Sequence, residues 1–375
     1  MSGIYIHIPF CRKACHYCNF HFSTQIDQID DFIKALTSEI EIQKDYLNEK
    51  VETLYFGGGT PSLLSAEHID KVLNAIHKNF QVDANFEFTL EANPDDIDLA
   101  KTTMWASKGI NRLSIGIQSF QDEALAWMNR AHNTVQSHNA IKYAQAAGIY
   151  NLSTDLIYGT PHLSDEALLK DIETLHQYQI PHISCYALTV EEKTALHHLI
   201  QQNKIENVDG EKQARHFEIV VDGLTKLGFE HYEISNFALP GHQSKHNSSY
   251  WKGKPYLGLG PSAHSFNGHS RQWNIANNAL YIKSLDENKV PFEIEHLEIV
   301  TQYNEYMMIS LRLQAGFSMA EIEKRFGVAY LEHSKTIAKF LLDEEKIEAT
   351  PQGFTITKNA RFLADGIASE FFIVD

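Results

Sequence analysis

Apolar positions along the first 230 residues switch repeatedly between a period of two and a period near 3.6. Ile4, Ile6, Ile8 and Phe10 alternate with polar or smaller neighbours, and Pro9 closes that first strand. Residues 26–48 then carry Ile29, Phe32, Ile33, Leu36, Ile40 and Leu47 at helical spacing. A strand over 51–56 and a helix over 65–80 follow, with Ser65 as its N-cap and His68 in the capping-box position. The same pairing predicts strands over 85–91, 112–117, 151–157 and 182–188, with helices over 96–108, 121–128, 134–147, 164–178 and 211–227. Six strand–helix units imply an α/β fold, a parallel sheet with helices outside. Six fall short of the eight of a closed barrel, so a partial (βα)6 barrel is the expected closure.

The pattern changes beyond Phe229. Residues 231–238 read as an edge strand, whereas 241–251 and 255–266, rich in glycine, histidine and aromatics, read as loops packed on the open side of the sheet. Residues 301–375 read as a smaller winged-helix-like α+β domain: helices over 306–313, 319–326 and 330–342, a hairpin over 347–356 turning at Pro351-Gln352-Gly353, and a helix over 359–370. The expected organisation is a barrel over 1–230, a connecting His- and aromatic-rich segment over 231–300, and the small domain over 301–375.

Composition narrows the function classes. The net charge of −16 argues against nucleic acid as a partner. The winged-helix-like segment, with eight Lys/Arg against eleven Asp/Glu, is acidic too, and reads as a packing or docking domain. No apolar run approaches the roughly 20 residues of a membrane span, so a membrane contact is expected only through a partner. Four cysteines, three of them clustered, suit a reducing, cytoplasmic setting and metal-type thiols rather than disulfides.

Those three are Cys11, Cys15 and Cys18, spaced C-x3-C-x2-C on the loop after the first strand. Three metals suit such a loop to different degrees. A ferredoxin-type cluster needs a fourth thiolate, and Cys185 lies far away, inside a strand, where it reads as a buried filler. A zinc site of three cysteines completed by His16 or His21 is one alternative; a four-iron cluster with one open iron is the other. The remaining strand ends carry Gly57-Gly58-Gly59-Thr60-Pro61, Glu91-Ala92-Asn93-Pro94, Gln118-Ser119-Phe120, Asp155, Tyr158-Gly159-Thr160-Pro161 and Tyr186-Ala187. Ligands of such sheets sit at these ends, so all would converge on one site.

Taken with Asn129-Arg130-Ala131-His132, these motifs resemble the oxygen-independent coproporphyrinogen III oxidase-like group of radical S-adenosylmethionine proteins over nearly the whole chain. The resemblance implies a radical-SAM partial barrel in which Cys11, Cys15 and Cys18 ligate a [4Fe-4S] cluster. Tyr5, Gly58, Gly59, Thr60, Glu91, Gln118, Arg130, Asp155 and Ala187 match positions that hold S-adenosylmethionine, with Glu91 suited to its amino group, Arg130 to its carboxylate or a nearby acid and Asp155 to the ribose. Tyr17 would pack on the adenine or shield the cluster. Two departures favour the haem-chaperone branch over the oxidase: Phe20 stands where the oxidase has a further cysteine, and His246-Asn247-Ser248-Ser249-Tyr250-Trp251 is present. That branch implies haem as cargo, an acceptor protein and an electron donor, with His246 as candidate haem ligand and Tyr250 and Trp251 as ring contacts. The alternative is the oxidase reaction itself, the radical oxidative decarboxylation of coproporphyrinogen III to protoporphyrinogen IX.

Overall fold

The computed structural model describes residues 2–374. Its first half alternates as the apolar pattern dictates: β1 (Ser2–Ile8), α1 (Ile29–Ile42), β2 (Val51–Gly58), α2 (Ala66–Asn79), β3 (Val82–Ala92), α3 (Leu99–Ser107), β4 (Arg112–Gln118), α4 (Asp122–Trp127), α5 (Thr134–Ala146), β5 (Leu152–Tyr158), α6 (Asp165–Gln177) and β6 (His182–Ala187). Caps start the helices where expected. The Ser65 hydroxyl accepts from the His68 N–H while His68 Nδ1 accepts from the Ser65 N–H, closing a capping box with histidine in the place of glutamate. Ile4, Ile6 and Ile8 point under the helices and are wholly buried, each contributing about 1.5–3 kcal/mol by leaving water.

Strands β1 to β6 lie side by side in chain order and parallel. With no reversal of order, right-handed crossovers put every helix on one side, and the sheet curls around its other face. Strand β6 never pairs with β1, so the barrel is open. After α7 (Ala195–Gln201) and α8 (Gly210–Lys226), the hairpin β7 (Glu230–Glu233) and β8 (Asn236–Ala238) adds antiparallel to β6.

Residues 241–266 differ from the expected loops. Residues Lys245–Trp251 form helix α9, and Tyr256–Leu259 form β9, which pairs in parallel with the outer side of β1. Strands β10 (His264–Phe266), β11 (Ser270–Asn274) and, after α10 (Asn278–Asp286), β12 (Phe292–His296) extend the sheet to twelve strands among the described residues. Gly258 serves close approach rather than looseness, since a Cβ there would collide with the His264 carbonyl oxygen.

The C-terminal part has a core of its own around Tyr303, Met307, Leu311, Phe317 and Phe371. It comprises α11 (Ile299–Arg312), β13 (Phe317–Ser318), α12 (Met319–Phe326), α13 (Val328–Asp343), β14 (Ile347–Ala349), β15 (Gly353–Ile356) and α14 (Ala364–Glu370), with the three strands in one small sheet. Helix α11 bridges the open seam of the barrel. Its Glu305 pairs with Arg271 of β11 at 2.8 Å, and its Arg312 pairs with Glu233 of β7 at 3.1 Å, so one helix ties the two ends of the large sheet together. The chain after α11 also covers the free edge of β7, since Ile234 donates to the Arg312 carbonyl and Gln314 to that of Tyr232.

Candidate functional site

The loop after β1 is pinned at both ends. Cys11 N–H donates to Ser23 O and Ser23 N–H to Pro9 O, while Asn129 and Lys13 tie Ala14 O and Arg130 O across the loop's middle. This turns Cys11, Cys15 and Cys18 into one cavity of about 610 Å³, within the range of small-molecule sites. Burial pushes the Cys11 thiol up to about 11, despite the Thr60 hydroxyl donating to its sulfur at 3.4 Å, and raises Cys18 as well. Such thiols ionise at neutral pH only against a bound cation. Cys185 is buried in the core between sheet and helices, so three thiolates are what this cavity offers. His16 and His21 do not line it; His16 Nδ1 bonds Trp127 O and His21 Nε2 bonds Asn278 Oδ1. The donor set therefore fits a cluster with one position left open better than zinc with three cysteines and a histidine.

The other strand ends face the same space. Glu91 accepts from Tyr55 OH at 2.7 Å and from Gly58 N–H at 3.1 Å, the latter because Gly58 holds φ at +101°, a conformation glycine tolerates. Burial pushes Glu91 up to about 7 and Asp155, beside Ser184, up to about 6. Arg130 reaches Cys15 Sγ at 3.3 Å and Tyr17 OH at 3.4 Å with one nitrogen, and Asn93 Oδ1 at 2.7 Å and Gly116 O at 2.9 Å with another. Gln118 ends β4 at φ +66°, turning the chain at the rim. Gly58, Gly59, Thr60, Gln118, Tyr17 and Ala187 line the cavity; Tyr5 sits one layer lower, its hydroxyl 3.2 Å from His7 Nδ1. The far wall is contributed by the C-terminal part through Arg312, Arg361, Phe362 and Asp365.

Residues 5–175 match the Radical SAM superfamily and residues 301–363 the HemN C-terminal domain. Over 376 aligned residues the chain is 33% identical to the "Heme chaperone HemW" of Lactococcus lactis, spanning 98% of both proteins. It is 32% identical to that of Bacillus subtilis over 376 residues, spanning 99% of both. The chain belongs to the HemW haem chaperone family. Its fold is also that of the coproporphyrinogen III oxidase HemN of Escherichia coli, a radical SAM enzyme, with a TM-score of 0.85 at 22% identity over 99% of this chain and 89% of the other.

Against this HemW background, the placement of the His246 motif departs from expectation. Helix α9 lies inside the barrel below the cavity, with Glu87 accepting from the His246 and Lys245 N–H groups. His246 is 1% exposed. Its Nδ1 meets Thr53 Oγ1 at 2.8 Å, its Nε2 meets Tyr250 OH at 2.7 Å, and its ring stacks on Tyr55. Burial lowers its pKa to about 3, so the imidazole is neutral with both nitrogens engaged. Neither His246, Tyr250 nor Trp251 lines the cavity; Trp251 instead lies under the Arg312 guanidinium, 5.5 Å from its ring centre. Conversely, no role was expected from sequence for Asn93 and Gly116, which orient Arg130, and the far wall of Arg312, Arg361 and Phe362 was not expected at the site. Asn93 was visible as the polar residue of a strand-end motif, but nothing in the local pattern at Arg361 points to the cavity.

Proposed function

We propose that this HemW-family chain holds a [4Fe-4S] cluster on Cys11, Cys15 and Cys18, binds S-adenosylmethionine beside it, and carries haem to an acceptor protein in a reducing, cytoplasmic setting. The observation carrying the reading is that three thiols without a fourth share one cavity with Glu91, Arg130 and Asp155. Bound there, the cluster supplies one-electron chemistry toward the sulfonium of S-adenosylmethionine. The chain's own residues bind and orient. Glu91, fixed by Tyr55 and Gly58, receives the ammonium, which favours its ionised form. Asp155 accepts from the ribose hydroxyls. Arg130 sits against Cys15 and Tyr17 and offers charge to the carboxylate. Gly58 and Gly59 bring bare backbone to the ligand, and Gln118, Thr60 and Ala187 complete the rim. Phe20, where the oxidase carries a cysteine, favours the chaperone over porphyrinogen decarboxylation. An electron donor and a haem acceptor are the partners this requires.

The test is anaerobic reconstitution of the wild type, Cys18→Ser and Cys185→Ala, with iron content, haem transfer to an apo-haem protein and coproporphyrinogen III turnover measured side by side. Iron should be lost in Cys18→Ser and kept in Cys185→Ala, and transfer should follow the cluster. Protoporphyrinogen formed over multiple turnovers would overturn the chaperone reading.

A further inference from the structure

The cavity has two chemically different ends. The cluster-loop end is crowded with committed polar groups. Towards the C-terminal part, exposed aromatic faces from that part, from the end of β6 and from the tail of the cluster loop share the cavity with a cation that forms no ion pair among the described residues. Phe20 is 66% exposed, Tyr186 42% and Phe362 38%, and all three line the cavity. Exposed rings gathered on a concave wall are covered in function, and flat conjugated ligands cover them best. Arg312, on the same wall, is consumed by Glu233 and Asp365. Arg361 forms no ion pair among the described residues; its guanidinium meets His231 Nδ1 at 2.9 Å. Lys13, at the other end, donates to the Arg130 carbonyl. Glu348 is near enough to act on it electrostatically but forms no ion pair with it, so in a chain of net charge −16 this half-buried guanidinium keeps its hydrogen-bonding edge available to an anion. Asp365 is paired with Arg312, which it shares with Glu233, and Glu191 lines the cavity from the neighbouring loop, so Arg361 is the cation at this end that no ion pair engages among the described residues.

We propose that this end is the haem seat: Arg361 takes a propionate, and Phe362, Tyr186 and Phe20 receive the macrocycle. The assignment rests on the haem-cargo reading above and gives that cargo a place. It puts recognition in the ring and its carboxylates, next to the S-adenosylmethionine end of one cavity, and apart from the buried His246. The C-terminal part then acts as the wall that selects a planar ligand bearing a carboxylate.

The test is a Soret titration of the reconstituted protein with haem and with haem dimethyl ester, for wild type, Arg361→Gln, Arg361→Lys and Phe362→Ala, with S-adenosylmethionine binding and cluster content measured in each. Arg361→Gln should weaken haem by roughly 10-fold or more, the worth of a charge-assisted hydrogen bond, and leave the diester unchanged. Arg361→Lys should recover part of the loss. Phe362→Ala, which also removes a ring contact to Phe217, should weaken acid and diester alike with cluster content and S-adenosylmethionine binding retained. S-adenosylmethionine binding should stay at the wild-type value throughout. Haem binding that survives both Arg361→Gln and Phe362→Ala removes the seat while leaving the cargo reading intact. A wild type that binds no haem removes both.

Discussion

Replacing His246 by alanine tests whether the signature histidine is a structural keystone. In the folded chain its two nitrogens satisfy the hydroxyls of Thr53 and Tyr250, and its ring fills space between Gly3, Tyr5 and Tyr55. Truncation strands two hydroxyls, at about 1–3 kcal/mol for each buried one, and leaves a ring-sized hole. Tyr250 is partly exposed, so water relieves part of its cost and the sum is about 3 kcal/mol. With a urea m-value of about 3 kcal/mol/M, the midpoint should fall by roughly 1 M. Tyr250→Phe alone leaves the imidazole one partner and should cost about 1 kcal/mol. In the double variant one stranded hydroxyl is gone, so its cost should be less than the sum, with a coupling within the 0.5–3 kcal/mol range of contacting pairs. Equilibrium urea unfolding of the four proteins measures this directly. A His246→Ala loss below about 1 kcal/mol, or strict additivity with Tyr250→Phe, would refute the buried network.

Two further outcomes follow from the same geometry. Folded Glu91 keeps its proton up to about pH 7, whereas an unfolded glutamate releases it near about 4.3. Folding therefore takes up a proton in between, and stability of the ligand-free protein should decline as pH rises across that window, with Asp155 adding in the same direction up to about 6. Glu91→Gln should flatten much of the decline in urea titrations at pH 5 and 7.5; an unchanged slope would remove Glu91 as its source. Arg312→Ala leaves Glu233, 1% exposed, with only the Ser235 N–H and Asn236 amide as partners. The expected cost is about 2–4 kcal/mol, little of it from the exposed Asp365, and a loss within 0.5 kcal/mol in thermal unfolding would contradict the bridging role of α11.

The six strand–helix units were legible because each strand's buried face is a run of apolar residues and several helices announce their start with a cap such as Ser65, Asp98 or Ser164. The cluster loop and Glu91, Arg130 and Asp155 were legible for a topological reason: strand ends of a parallel sheet converge whatever the details. Helix α9 was hidden because Asn247, Ser248 and Ser249 are weak helix formers, held helical here by the Ser244 cap and Glu87 rather than by propensity. Strand β9 was hidden because its glycine content signals close packing against His264 only once the partner strand is known. Arg361 and Phe362 were invisible as site residues, since they reach the cavity from the C-terminal part, more than 170 residues after β6 ends at Ala187.

A closed barrel has its girth fixed by strand number and shear. Here the circumference is completed by the stretch of α11 between Glu305 and Arg312, about 10 Å of helix axis. The interior is thus closed by a helical brace held by a side-chain ion pair at the β11 end and by an ion pair plus two backbone hydrogen bonds at the β7 end, rather than by a continuous ladder of strand pairing. The width of the enclosure is therefore written in the length of one helix, so lengthening or shortening that helix by a turn would resize the interior while leaving the pairing of β1 to β6 as it is.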